Sequence, residues 1–362
     1  MTDKTWPAVD VIVLLFKNAQ FMPALFSGFA SSDYPRDKVT IHLVDNGPQD
    51  GSLTEARNQI EKYKDSLPQI IVHEPGKNTG FTGGNNLVMR ELLACPGDYI
   101  YLLNGDATFE PAALREAVTV AENDPKIGSV QSLLVLQQNP DEINSEGNAL
   151  HYLGFGYCIG YHKPRSKAPM TIKDIAYPSG AGVLLRNSVL QKVGLFDETL
   201  MAYHEDLDLG WRIRLAGYRN VLAPMSVVRH YYEFSRKNVS KWYLMERNRL
   251  LVMLKNYKIA TLVWLFPQLV ASEAALLVFA VVNGWWKDKL RVYGYMLKPS
   301  TWKYVGEERR KVNGLRRVKD KNILELTAPT IAYQDVESWP VKVFLNPVGR
   351  ALHWLTKVVV FW

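Results

Sequence analysis

The chain has 362 residues, 47% of them hydrophobic and 22% charged, with two cysteines and a formal net charge of +7. That length holds one large domain with an appendage, or two domains, and the composition excludes a chain dominated by disorder. Cys95 and Cys158 show neither metal-ligand spacing nor a pairing pattern, so no disulfide framework is indicated and a reducing, cytosol-facing location is expected. The charge is unevenly placed. From residue 256 to the end there are 16 Lys and Arg against 8 Asp and Glu, while the rest of the chain is close to neutral. A basic C-terminal third is either a solvated face or a surface for an anionic partner, a membrane or a nucleic acid.

The opening MTDKTWPAVDVIVLLF holds a short apolar run that follows acidic residues and lacks a small-residue cleavage site. Residues 9–16 are therefore expected to form a buried strand and not a leader peptide. Apolar, β-branched runs at 39–44, 69–73 and 99–103 predict three further strands, with helical patterns between them at 19–30, 53–63 and 85–93. Strands that are apolar on both faces and alternate with helices predict an α/β fold around a mostly parallel sheet covered on both sides. Ligands of such sheets bind beyond the carboxyl ends of the strands. Polar and glycine-rich segments follow these strands directly: Asp45-Asn46-Gly47, the run from Gly76 to Gly84 that leads into Asn85-Asn86, and Asn104-Gly105-Asp106. The second half brings YPSGAGVLLR at 177–186 and a helix beginning near His204. That helix continues through Leu207, Leu209, Trp211, Ile213 and Leu215 and stops at Gly217. A short strand at 227–230 and a strong helix at 238–257 follow.

Several of these segments carry chemistry-bearing side chains. Asp106 stands one residue past a glycine at a strand end. It either closes an Asx turn or holds a divalent ion, the usual means of neutralising a diphosphate, with phosphate oxygens completing the metal shell. Asp45 is likewise a turn residue or an acceptor for a nucleobase or ribose. The Gly76–Gly84 run is neither a dinucleotide fingerprint nor a P-loop, but its glycines permit close backbone approach to a ligand. Asn85 and Asn86 would then open a helix whose amides suit an anion or a sugar hydroxyl. Glu205-Asp206-Leu207-Asp208 places three carboxylates at a helix start, beside His204. Capping and the helix dipole account for one or two of them. A further carboxylate there could serve as a general base that takes a proton from a substrate hydroxyl. His230 ends a strand and is either a structural hydrogen-bonder or a metal ligand.

In this order, VDNGPQDGS, GKNTGFTGGNN, LLNGDATF, SGAGVLLR, GLFDETLMAYHEDLDLGWRIRLAGYR and the VVRH strand resemble glycosyltransferase family 2, and within it rhamnosyltransferase-like enzymes of bacterial envelope polysaccharide synthesis. The resemblance implies a GT-A fold and an inverting transfer of sugar from a nucleotide diphosphate donor to an acceptor hydroxyl, with Mg2+ or Mn2+ as cofactor. It implies that Asp45, with Asn46 beside it, contacts the nucleotide, and that Asn78, Gly80 and Asn85 form the donor-binding loop. Asn104-Gly105-Asp106 is similar to the family's DxD motif, with Asp106 as the metal carboxylate and Asn104 where the motif has its first acid. Asp206, with Glu205 beside it, matches the general base. Arg212 lies where the family's helix carries an arginine, and His230 is similar to a histidine that completes the metal site. After the first strand, Phe16-Lys17-Asn18 departs from the family pattern. The implied donor is dTDP-rhamnose, with uridine and guanosine donors open, and the implied acceptor a glycan or polyprenyl-linked glycan.

The C-terminal third reads differently. Residues 259–282 are apolar over a length that would span a bilayer, yet contain Pro267, Gln268, Ser272 and Glu273. They form a buried helix of a soluble domain, a span with a paired Glu, or a surface-lying or re-entrant helix. Flanking Lys255, Lys258, Lys287 and Lys289 favour the membrane surface. Residues 341–362 suggest a basic amphipathic helix suited to an anionic leaflet, and Arg309, Arg310, Lys311, Arg316, Arg317 and Lys319 add a charged patch. No nucleic-acid motif accompanies that patch, so no nucleic-acid partner is expected. The expectation is a transferase domain at 1–255 and a helical, membrane-associating region at 256–362, on the cytoplasmic face of the cell membrane. A nucleotide-sugar binding module without turnover and a nucleotidyltransferase are the rival expectations.

Overall fold

The computed structural model of the chain describes residues 6–94, 97–232, 239–330 and 346–362. Cys95 and the expected helical stretch at 341–345, Lys342 included, lie outside the described residues. The first half alternates as the apolar runs require: β1 (Val9–Leu15), α1 (Met22–Ser31), β2 (Val39–Asp45), α2 (Ser52–Tyr63), β3 (Gln69–His73), α3 (Gly80–Ala94) and β4 (Tyr99–Asn104). β1 pairs in parallel with both β2 and β4, and β2 in parallel with β3, so the spatial order is β3-β2-β1-β4. The chain reverses its direction of travel between β1 and β4. Such a switch opens a crevice at the carboxyl ends of the strands, and Asp45 and Asn104 are the last residues of theirs.

β5 (Ala107–Phe109) and α4 (Ala113–Glu122) lead into β6 (Ile127–Leu136), buried at every position. β7 (Asn139–Ser145), β8 (Asn148–His151), β9 (Gly156–Cys158) and β10 (Lys173–Asp174) precede β11 (Gly182–Arg186), α5 (Asn187–Val193), α6 (Glu205–Leu215) and β12 (Arg219–His230). β11 runs antiparallel between β4 and β6, and β12 runs parallel to β6. The full path is β10-β12-β6-β11-β4-β1-β2-β3, a mixed, mostly parallel sheet. β6 has no counterpart among the expected strands. Ser129, Gln131 and Ser132 interrupt its apolar run, and each finds a partner inside: Ser129 Oγ donates to Asn220 Oδ1 (2.7 Å), Gln131 Nε2 to Ser145 Oγ (3.2 Å), and Ser132 Oγ bonds the Tyr101 hydroxyl (2.5 Å). β12 is also longer than the expected 227–230, because its ladder tolerates an irregularity between Ala223 and Val227, around Pro224.

Side-chain alternation explains the two-sided cover. Val9, Val11, Val13 and Leu15 of β1 join the core under α1, α2 and α4, whereas Ile12 and Leu14 face α3, α5 and α6. The helix expected at 85–93 begins earlier, at Gly80. Glycines that read as loop are packing residues: a Cβ on Gly84 would meet Leu14 Cδ2 at 2.8 Å, so its absence lets α3 lie directly on β1.

α7 (Val239–Asn256), α8 (Ile259–Val282), α9 (Trp286–Met296), α10 (Pro299–Leu315), α11 (Asp320–Leu324) and α12 (Asn346–Val359) follow, and β13 (Thr327–Ala328) joins β8 and β9 in a small second sheet. α6 serves two cores. Leu209 and Ile213 pack toward the sheet, while Leu207, Trp211 and Leu215 pack with Leu251, Tyr257, Leu265 and Val312 of the C-terminal helices. The expected basic patch is divided: Arg309 donates to the Tyr257 carbonyl (2.9 Å) and Arg316 to Asp320 (2.6 Å), while Arg310, Lys311, Arg317 and Lys319 are exposed.

Candidate active site

Backbone pairing gathers the candidate residues. Asn104 ends β4, and its amide donates to the Ala181 carbonyl (3.2 Å) of the loop before β11. From the same loop the Gly180 amide donates to Asp206 Oδ2 (3.4 Å) at the start of α6. The loop 179–181 therefore ties the Asn104-Gly105-Asp106 turn to the Glu205-Asp206 pair. Gly105 is required here, since a Cβ would lie 2.8 Å from the Leu14 carbonyl and from Asn18 Cγ. β5 pairs with β12 so that Ala107 faces His230, and the Tyr231 amide donates to the Asp106 carbonyl (2.9 Å). This register brings His230 Nε2 to 3.4 Å from Asp106 Oδ1 and 3.4 Å from Asn104 Nδ2.

His230 is held from behind. Its Nδ1 bonds Asn144 Oδ1 (2.9 Å), and because a carbonyl oxygen only accepts, Nδ1 carries a proton in that bond. In the neutral ring Nε2 is then an acceptor, which receives the Asn104 Nδ2 donor at 3.4 Å and faces the carboxylate of Asp106. Two acceptors facing each other at 3.4 Å suit a cation between them.

Asp206 accepts from the Leu207 amide through Oδ1 (2.7 Å). Glu205 is buried beside it, and its Oε2 has no hydrogen-bond partner. Burial pushes both carboxyls above the usual carboxylate range, and the Asp206 charge pushes Glu205 further. A cleft of about 210 Å³ opens before the pair, lined also by Tyr157, Tyr177, Tyr203, Tyr232 and Lys241. The approach to Asp206 is strained: Met201, Tyr203 and His204 all have positive φ, at 64°, 66° and 67°. Asn248 of α7 holds that segment, its Nδ2 facing the carbonyls of Leu200 (2.9 Å), Ala202 (2.9 Å) and Tyr203 (2.7 Å). Asn248→Ala is expected to destabilise the fold by about 1–3 kcal/mol through the carbonyls left without donors. The change would appear as a lower urea midpoint at unchanged slope.

At the end of β2, Asp45 is buried with Oδ1 unpartnered, and burial raises its carboxyl above the usual range. An orphaned acceptor at a strand end is what a nucleobase or ribose donor would satisfy.

The sequence model described as "Glycosyltransferase like family 2" matches residues 7–250. The chain belongs to glycosyltransferase family 2. Among curated relatives it is 25% identical over 214 residues to the N-acetylglucosaminyl-diphospho-decaprenol L-rhamnosyltransferase of Mycobacterium tuberculosis, a match covering 53% of this chain and 66% of that protein, just under two thirds of its length. Among solved structures, GalNAc-T7 with UDP, GalNAc and Mn2+ aligns at a TM-score of 0.57 and 16% identity, over 70% of this chain and 49% of that one. The mannosyltransferase of Pyrobaculum calidifontis with GDP-Man and Mn2+ aligns at 0.51 and 19% identity, over 86% of each chain. These structural likenesses establish the GT-A fold.

The divalent cation that the family implies fits these residues. Asp106 offers a carboxylate oxygen and His230 an imidazole nitrogen, and Asn104 would add its amide oxygen once Nδ2 turns from His230, a set that suits Mn2+ or Mg2+. Among the described residues no group of three or more His, Cys, Asp and Glu is assembled.

The other candidates are placed as follows. Asn46 is a brace: Oδ1 accepts from the Thr79 amide (2.8 Å) and hydroxyl (2.9 Å), and Nδ2 donates to the Gly80 carbonyl (3.2 Å). Asn78 Oδ1 accepts from the Gly80 amide (2.8 Å) at the start of α3. Gly80 has φ +74°, and a Cβ there would strike Met201. Asn85 lies one turn inside α3, buried, with Nδ2 donating to the Phe81 carbonyl (2.9 Å), so it does not open the helix. Arg212 is not brought to the cleft. Its guanidinium is consumed by Asp208 Oδ2 (2.9 Å) and the carbonyls of Val193 (2.5 Å) and Leu195 (2.7 Å), which fasten α6 to the end of α5. Asn144 and Asn248 were not among the candidates. The sequence signal for Asn248 is weak: Glu246-Arg247-Asn248-Arg249 is a run of polar residues spread around the circumference of a helix.

Proposed function

We propose that this chain moves one sugar, with inversion, from a nucleotide diphosphate donor to a hydroxyl of a glycan or lipid-linked glycan acceptor. In this reading residues 1–255 carry the transfer site and residues 256–362 a membrane-associating region at the cytoplasmic face, and the product belongs to the cell envelope. The observation that carries the proposal is the tie from Asn104 through Ala181 and Gly180 to Asp206, which sets a raised carboxylate and an aromatic cleft against a cation-suited trio. Asp206 takes the proton of the acceptor hydroxyl as its oxygen bonds the anomeric carbon, and the bond from that carbon to the nucleotide diphosphate breaks. A divalent ion at Asp106, Asn104 and His230, when bound, would neutralise the departing diphosphate. Asp45 orients the nucleotide, and Tyr157 and Tyr203 line the cleft that would receive the acceptor sugar. Rhamnose is the sugar supported by the motif resemblance and by the name of the mycobacterial relative, and dTDP-rhamnose is the donor that the resemblance implies.

The test is thermal unfolding with thymidine, uridine and guanosine diphosphates, each with and without Mn2+, followed by transfer assays with the matching sugar. One nucleotide is expected to raise the midpoint, more so with Mn2+. Asp106→Ala should remove the Mn2+-dependent part of that rise. No rise with any nucleotide in a folded sample would overturn the donor site. Asn104 in place of an acid favours a second reading, a binding module without turnover; nucleotide binding without transfer or Mn2+-stimulated donor hydrolysis would select it.

A further inference from the structure

α8 is built with its polarity reversed. A helix on the surface of a water-soluble domain turns its polar residues outward. In α8 they turn inward: Thr261 Oγ1 donates to Asp320 Oδ2 (2.6 Å), Gln268 Nε2 reaches Thr356 Oγ1 (3.5 Å), and Glu273 pairs with Lys289 (2.8 Å) and with Arg249. Every exposed position of α8 is apolar, in a stripe through Ile259, Val263, Phe266, Val270, Val278 and Val281. α12 repeats the pattern, with His353 and Thr356 buried while Val348, Trp354, Leu355 and Val358 are exposed. The two helices lie side by side, joined where Trp264 Nε1 donates to Thr356 Oγ1 (3.2 Å) and Trp362 Nε1 to Thr261 Oγ1 (2.8 Å).

Among the described residues α8 is the one helix long and apolar enough to cross a membrane, with 24 residues and a mean hydropathy of 2.0. Its tethers oppose a crossing. Thr261 near one end is fastened to α11, and Glu273 in the second half is fastened to α7 and α9, so one flank of the helix belongs to the folded domain along its length. We infer that α8 and α12 lie in the plane of an anionic bilayer, apolar faces sunk into one leaflet, without crossing it. Charge supports this occupant: Lys258 and Lys287 bracket α8, Arg350 is exposed on α12, and Arg310, Lys311, Arg317 and Lys319 are exposed in the same third of the chain. The exposed indoles of Trp286 and Trp354 suit the headgroup level.

The docking has a consequence for the cleft. Trp242, at the start of α7, stacks on Trp285 just past α8 (5.2 Å, 11°), and the adjacent Lys241 lines the cleft before Asp206. A sunken α8 therefore holds the cleft mouth near the lipid surface, where a lipid-linked acceptor is anchored. This deepens the proposed function and rests on its membrane-borne acceptor, but the following test reads no activity.

The full chain is floated on density gradients with vesicles of phosphatidylcholine, with or without phosphatidylglycerol. Co-flotation is expected with the anionic vesicles, weakened by high salt. A doubly substituted variant, Val263→Glu with Val270→Glu, should bind about tenfold less or worse, with its circular dichroism unchanged because both sites are exposed. In the unsubstituted background, an environment-sensitive fluorophore placed by cysteine substitution at 263, 270 or 278 should report one shallow depth at all three positions. A graded depth with position 270 deepest would overturn the inference in favour of a crossing. Absence of flotation together with a dimer that the Glu variant dissociates would overturn it in favour of a second copy of the chain.

Discussion

Replacing Asp206 with asparagine is expected to lower the rate of sugar transfer by about 10²–10⁴-fold, the usual contribution of a positioned general base. Nucleotide diphosphate binding should be unchanged. The amide oxygen of asparagine can still accept from the Leu207 amide, which keeps the α6 start, while its Nδ2 faces the Gly180 amide, so the bond to the 179–181 loop is lost together with proton acceptance. The pH behaviour adds an independent check. Burial raises Asp206 and Glu205, so the ionised base accumulates only above the ordinary carboxylate range, and the transfer rate should climb with pH through that displaced window. Stability runs the other way. Both groups bind protons more tightly folded than unfolded, so the stability they contribute is complete below the unfolded carboxylate range and is lost as pH rises through the folded values. Asp206→Asn and Glu205→Gln should therefore unfold at higher temperature than the parent near neutral pH, and the gain should vanish in acid. Full transfer by Asp206→Asn would remove the base from its role, and a pH-independent stability difference would remove the burial argument.

The parts of this molecule that were legible in the sequence are those where one residue type answers to one local demand. β1 to β4 are readable because the strands are apolar on both faces, and the strand ends are readable because Asp45, Asn104 and Asp106 interrupt apolar runs at the point where a parallel sheet opens. Gly80 to Gly84 misled for a physical reason. Glycine permits a loop, but it equally permits a helix to approach a strand, and the contact with Leu14 that decides between them is remote in sequence. β6 escaped because Ser129, Gln131 and Ser132 look like surface residues until Asn220, Ser145 and Tyr101 are folded around them. Arg212 illustrates the limit of placing residues by motif: a guanidinium at the expected position in α6 points away from the cleft because three carbonyls at the end of α5 and Asp208 need its donors. The orienting role of Asn144 depends on β7 lying beside β6, and nothing in the neighbourhood of Asn144 along the chain announces it.

Arg249→Ala is expected to cost about 3–5 kcal/mol, the penalty of leaving buried charge without its partner. Arg249 and Lys289 have no exposed side-chain surface, and Glu246 and Glu273 stand between them as two carboxylates against two cations. Glu246 Oε2 accepts from Arg249 (3.1 Å) and from Lys289 (2.5 Å). Burial alone would push the Glu246 carboxyl up, but Arg249 and Lys289 hold it down at about 2. The stability this supplies is present above the unfolded carboxylate range and is lost as pH falls toward that value. Without Arg249, one ammonium faces two carboxylates in a water-poor site, and protonating one of them becomes the cheaper state. The deficit of the variant should therefore be largest near neutral pH and shrink in acid, as read from urea midpoints across pH. Arg249→Lys should recover part of the loss, since it restores the charge but not the planar contact over Phe155, whose ring centre lies 4.4 Å away. An alanine variant within about 1 kcal/mol of the parent, the size typical of exposed pairs, would mean that the quartet is solvated and does little. The same quartet is what fastens Glu273, and hence α8, to the body of the protein. Loosening it should release α8 from its fixed orientation, so a destabilised Arg249→Ala chain should also lose the single shallow depth expected for labels along that helix.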